Sequence, residues 1–178
     1  APAFSINRET SWALNILAEC GFEYDSSVFP SASRRYGWNG FSKDICRINL
    51  DNSASIIEVP LSVIKVIGRN FPVCGGGYLR YFPYNLTKRA FKSINEERPV
   101  IVYMHPYELD INKYPDYFYK ARSKAKLKQK LNLMFYRYKK ETVKPKLEGL
   151  LNEFKFAQLA EIISDLRRND CLSEVRID

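Results

Sequence analysis

The sequence predicts an α/β fold, and three observations predict it. Apolar residues recur at helical spacing over residues 9–20, 86–97 and 117–138. Short β-branched runs stand at 56–59 and 99–104. The two kinds of segment alternate along the chain, as they do where helices cover a sheet. The 178 residues, 46% of them hydrophobic, are enough for one domain with a real core.

Taken in order, Trp12, Leu14, Ile16, Leu17 and Cys20 contain an i, i+4, i+5, i+8 apolar set that reads as a helix over 9–20, and Gly21 stands where a C-terminal stop belongs. Residues 22–29 read as a short strand and loop ended by Pro30. Residues 31–55, rich in Ser, Arg, Gly, Asn and Asp, read as an excursion from the fold. A strand at 56–59 stops at Pro60, and 61–67 reads as a second strand. The run Gly75-Gly76-Gly77 permits positive φ and close backbone approach, so 71–83 is expected to hold a tight loop.

A helix is expected over 86–97. The apolar run 99–104 has the pattern of a strand buried on both faces, delivering His105 at its C-terminal end. Leu127, Leu131, Met134, Phe135 and Tyr138 mark a helix over 117–138. Thr142 is placed to N-cap another, which carries Leu147, Leu150 and Leu151. A last strand at 154–156 and a helix over 157–168 complete the reading.

Composition narrows the function classes. No apolar run approaches the ~20 residues that span a bilayer. The net charge of +8 is concentrated: residues 120–146 hold eleven basic side chains against one acid, Glu141, and the rest of the chain is near neutrality. Such a segment points to an anionic neighbour, or it is a solvated helix face. Nucleic acid is not expected, because neither a Cys/His finger nor an RNP-type aromatic run is present. Cys20, Cys46, Cys74 and Cys171 form no CxxC pair, and one histidine cannot complete a Cys/His zinc site, so free, mostly buried thiols in a reducing compartment are expected. The 12 Tyr and 11 Phe suit a carbohydrate-facing cleft and suit a large core.

Four segments carry the chemistry. They are Ala1-Pro2-Ala3-Phe4-Ser5; Gly21 to Pro30 with Tyr24-Asp25-Ser26-Ser27; Gly75-Gly76-Gly77-Tyr78-Leu79-Arg80; and Tyr103-Met104-His105-Pro106-Tyr107-Glu108-Leu109-Asp110. His105 stands just past a strand-like run, where α/β folds gather their ligand sites, and its near-neutral intrinsic pKa suits proton transfer. A lone histidine also serves structural roles. Asp25 is a natural carboxylate partner for the imidazole, or a cap for the turn at Ser26 and Ser27. The glycine run is no phosphate loop, since no Lys-Ser/Thr follows it.

In this order the four segments resemble the polysaccharide deacetylases of carbohydrate esterase family 4, in the bacterial branch tied to exopolysaccharide loci. The branch motifs are similar to Arg-Ala-Pro-x-Phe-Ser, Tyr-Asp-Ser-Ser-x-Phe-Pro, Gly-Gly-Gly-Tyr-x-Arg and Tyr-x-His-Pro-x-Glu-x-Asp, and they span residues 1–110. The resemblance implies the C-terminal part of a distorted (β/α) barrel at 1–115, with a basic helical extension at 116–178 packed on the same domain. It implies hydrolysis of the N-acetyl groups of a polysaccharide, using a divalent metal, expected to be zinc, that activates water. The metal-binding residues of that family precede the first motif, so the chain is expected to be a fragment that binds no metal and is inactive alone.

By the same resemblance His105 is the general acid and Asp25 its buffering carboxylate. Met104 would line the acetyl pocket, Tyr78 and Arg80 would contact substrate, and Tyr107 stands where the family often has Trp. The implied setting is the bacterial cytoplasm or cell envelope, with self-association through an exposed barrel edge. Two other readings remain open. One is a non-catalytic module holding an anionic polysaccharide or membrane at residues 120–146, and the other is a structural tail without a site.

Overall fold

The computed structural model describes residues 1–32, 37–111 and 138–177. The protein is mixed α/β, with five α-helices and two sheets among the described residues. Its first helix, α1 (Trp12–Glu19), follows a single turn whose entry Asn7 caps by accepting hydrogen bonds from the Glu9 and Thr10 N–H groups. It ends where the sequence predicts: Gly21 adopts φ +84°, and the Gly21 and Phe22 N–H groups close back on the Ala18 and Leu17 carbonyls.

The larger sheet contains β1 (Tyr24–Asp25), β2 (Cys46–Asn49), β3 (Ser55–Glu58) and β6 (Ser173–Arg176), in the order β1-β3-β2-β6. β3 runs parallel to β1 and antiparallel to β2, and β6 runs parallel to β2. Successive side chains of a strand face opposite ways, and β3 uses both faces. Ile56 enters a core with Leu14 of α1, Cys46 and Ile48, whereas Ile57 packs with Ile45, Val59 and Ile163 on the other side. Ile163 belongs to helix α5 (Leu159–Arg168), so α1 and α5 cover opposite faces of the sheet.

A hairpin of β4 (Val63–Val66) and β5 (Arg69–Pro72) leads into α2 (Gly76–Tyr81) and α3 (Tyr84–Asn95). With α4 (Val143–Glu153) these helices enclose a third core of Val73, Leu79, Phe91, Ile94, Val143 and Leu150. Lys146 of α4 donates hydrogen bonds to the Leu79 and Phe82 carbonyls at 2.7 and 2.8 Å, placing a cation on the C-terminal end of α2.

Several expectations are corrected. The glycine run is not a positive-φ loop: Gly75 caps α2 and Gly76 begins it, none of the three having positive φ. Residues 99–104 are not a buried strand. Among the described residues their backbone forms one isolated bridge, Gly75 to Tyr103, and the Ile101 N–H donates to Ser62 Oγ, so no full ladder exists to define a strand. Residues 31–55 are more than an excursion, since they contain β2, whose alternating Cys46/Ile48 core face is only four residues long. Residues 154–156 form no strand; the terminal strand is β6.

The expected helix over 117–138 and most of the basic segment, residues 120–137, lie outside the described residues. Within its described part Lys140 is buried and Lys146 is bound to α2, so those two lysines are not part of a freely solvated face.

Candidate active site

The four motif segments meet around one cavity of about 310 Å³. Phe4 comes from the first, Phe29 from the second, Gly75, Gly76, Gly77, Tyr78 and Arg80 from the third, and Tyr103, His105, Tyr107 and Glu108 from the fourth. Backbone hydrogen bonds tie the last two together. The Tyr103 N–H donates to the Cys74 carbonyl and the Gly76 N–H to the Tyr103 carbonyl, each at 3.0 Å. Leu61, Ser62 and Ile101 close the wall, joined by the Ile101 to Ser62 bond.

His105 is exposed and stands in a row of rings. Phe4 meets Tyr103 edge-on with centroids 4.9 Å apart, and Tyr103 meets His105 the same way at 4.9 Å. Tyr107 stacks against the imidazole at 5.0 Å, 19° from parallel. Tyr103 Oη lies 2.9 Å from His105 Nε2 and 3.3 Å from Nδ1, within hydrogen-bond distance of both ring nitrogens. The arrangement presents an imidazole to solvent between aromatic faces, and such faces suit the apolar sides of a sugar ring.

The loop carrying His105 is anchored from beneath. Pro106–Glu108 form a single 3-10 turn in which the Glu108 carboxylate folds back to accept the His105 N–H at 3.0 Å. Glu108 is buried, and its other oxygen lies 4.0 Å from the guanidinium of buried Arg80. The carboxylate rests on the start of α2. A Cβ on Gly76 would run into the Glu108 carboxylate, so the carboxylate keeps this place only while residue 76 is glycine.

The sequence-predicted residues therefore separate. His105, Tyr78, Tyr107 and Arg80 share the cavity. Arg80 is a buried partner of Glu108 rather than an open substrate contact. Met104 does not line the cavity; it packs against the core of α2, α3 and α4, because the side chain before His105 faces the other way. Asp25 is not among the cavity residues, and the described partners of the His105 ring are Tyr103 and Tyr107. Asp25 instead accepts from Ser27 Oγ at 2.8 Å, and the Ser27 N–H that an Asx cap would take donates to Glu58.

Asp25 also stands in register with Glu58, a wholly buried carboxyl on β3. Glu58 Oε1 accepts the Ser27 and Val28 N–H groups at 3.0 and 2.8 Å. Burial pushes the Glu58 carboxyl well above the usual carboxylate range and the neighbouring Asp25 adds to the rise, while the two N–H donors act against it. Asp25 Oδ2 and Glu58 Oε2 are buried without another hydrogen-bond partner, and a proton held by Glu58 toward Asp25 satisfies both.

Glu108 and Glu58 were not singled out from the sequence. The spacing His105-x-x-Glu108 is that of a capping box, which signals Glu108, and a lone acid inside Ile56-Ile57-Glu58-Val59 signals a buried one. Cys74 also lines the cavity, but burial pushes its thiol up to about 12, leaving it protonated and unreactive at neutral pH. All four cysteines are free, but only Cys46 and Cys74 are buried; Cys20 and Cys171 are exposed, which corrects the expectation of mostly buried thiols. Among the described residues no group of three or more His, Cys, Asp and Glu side chains is placed to hold a metal. No described helix is long and apolar enough to cross a membrane.

No curated protein and no solved structure matches the chain. Residues 26–164, which include two of the four segments around the cavity whole and part of a third, match one family over well more than half of the chain. The chain thus belongs to DUF3473, a family described as a domain of unknown function.

Proposed function

We propose that this chain is the part of a metal-dependent polysaccharide deacetylase that supplies the general acid, with His105 as that acid. The observation that carries the reading is the meeting of four motif segments, separated by up to a hundred residues, around one aromatic cavity onto which a single histidine opens. Amide hydrolysis needs a proton for the departing nitrogen as the C–N bond of the tetrahedral intermediate breaks. A protonated imidazole held at that rim supplies it. Tyr78, Tyr103 and Tyr107 provide the flat surfaces on which an N-acetylated sugar would lie, and the cavity is of the size of small-ligand pockets, about 300 Å³ and above.

In such a reaction a divalent metal, zinc by the family resemblance, supplies the activated water. The described residues do not fit that metal, because no ligand cluster is present and the sequence holds one histidine. The reading assigns the metal to protein outside this chain and expects the chain alone to be inactive. The barrel belongs to the same proposal: β1, at the edge of the sheet, and the run at 99–104 would be neighbours of strands from that other part.

The test is acetate release from N-acetylglucosamine oligomers by the complete gene product, with and without His105→Ala. The expected result is a loss of about 10²-fold or more in turnover at an unchanged melting temperature. Unchanged specific activity in the variant would sink the reading and leave His105 a structural residue.

A further inference from the structure

We infer that Glu108 is the positioning residue of this site, holding the His105 loop in place through an anchor made with Arg80 and Gly76. Three independent contacts converge on its carboxylate. One oxygen accepts the His105 N–H at 3.0 Å, which fixes the backbone from which the imidazole projects. The other lies 4.0 Å from the Arg80 guanidinium, and both side chains are more than nine-tenths buried. The whole group lies where a side chain on residue 76 would be, so the glycine is what admits it.

The exposed imidazole has little else to hold it. Its ring is steadied by Tyr103 and Tyr107, which are themselves 37% and 42% exposed and ride on the same loop. A row of exposed rings keeps its order only if the backbone beneath is fixed. The Gly76 to Tyr103 backbone bond holds one end of this loop on α2, and the Glu108 carboxylate is the side-chain contact that holds it at His105 itself.

The inference deepens the proposed function in that His105 is the reacting group, but its test needs no substrate. The chain holds one histidine, so its imidazole protons are a unique NMR signal. In the wild-type chain these protons are expected to show cross-relaxation to the Tyr103 and Tyr107 rings. In Glu108→Ala, and in Gly76→Ala, where both charges remain but the carboxylate is displaced, the cross-peaks should disappear while the amide signals of the sheet stay dispersed.

A carboxylate serving stability alone would lower the melting temperature and leave the ring contacts intact, and that outcome in either variant overturns the inference. If Glu108→Ala does not fold, Gly76→Ala carries the test. Loss of the cross-peaks alongside full activity of His105→Ala would uphold the anchor and reject the proposed acid, so the two failures are distinguishable.

Discussion

At the scale of single residues, two buried carboxyls behave in opposite ways. Glu58 is wholly buried, and its raised pKa means that the folded protein holds a proton which the unfolded chain releases above about pH 4.3. Its contribution to stability is therefore complete below that value and declines as pH rises toward the folded value, by about 1.4 kcal/mol per pH unit inside the window. Glu58→Gln keeps the acceptor for the Ser27 and Val28 N–H groups, gains a donor toward Asp25 and removes the decline. Urea titrations of the two proteins should converge at acid pH and separate in favour of the Gln variant as pH rises; parallel curves would show Glu58 to be charged. Glu108, in contrast, lies beside a guanidinium. Removing it as Glu108→Ala leaves Arg80 buried without its carboxylate, and should lower stability by about 3–5 kcal/mol in equilibrium unfolding. His105 was legible in the sequence because its type and place carry chemical meaning. Glu108 and Glu58 were less so, because a buried acid differs from a surface acid only by what the fold puts around it.

Among elements, α2 shows how local signals are overridden. Three glycines favour a loop on propensity, since each weakens a helix by about 1 kcal/mol relative to Ala. The helix forms because Leu79 is buried against α3 and α4, and because Glu108 and Lys146 place opposite charges at the ends that favour them. Lys146→Met removes the two carbonyl contacts and should cost about 1–3 kcal/mol, with faster amide exchange over residues 79–82 as the accompanying sign. Unchanged exchange there would mean that packing alone holds the helix. Helix α1 and strand β3 were legible because a stop glycine and a β-branched run are written locally. β6 was not, because it is four residues long and pairs with a strand more than a hundred residues earlier, and β2 was not, because its four residues stand inside a polar stretch.

For the whole molecule, the C-terminal residues are part of the sheet. β6 covers the edge of β2, so truncation before Ser173 should expose that edge, lower the melting temperature and promote concentration-dependent association in sedimentation. Thiol access follows the same architecture: Cys20 and Cys171 should react with an aromatic disulfide reagent in the native protein, and Cys46 and Cys74 only after unfolding. The α/β class was legible from alternation, whereas the run at 99–104 misled because an apolar segment can line a cavity as well as fill a sheet. One connection ties the two ends of this account together. Glu108, beneath His105, and Lys146, on a helix nearly forty residues later, grip opposite ends of α2. That six-residue helix is a strut about 9 Å long, and its length is the spacing between the C-terminal helices and the cavity rim. Substitutions along its outer face leave the spacing alone, but inserting a single residue would turn one grip by about 100° relative to the other. The segment from Gly76 to Phe82 is therefore fixed in length more strictly than in sequence.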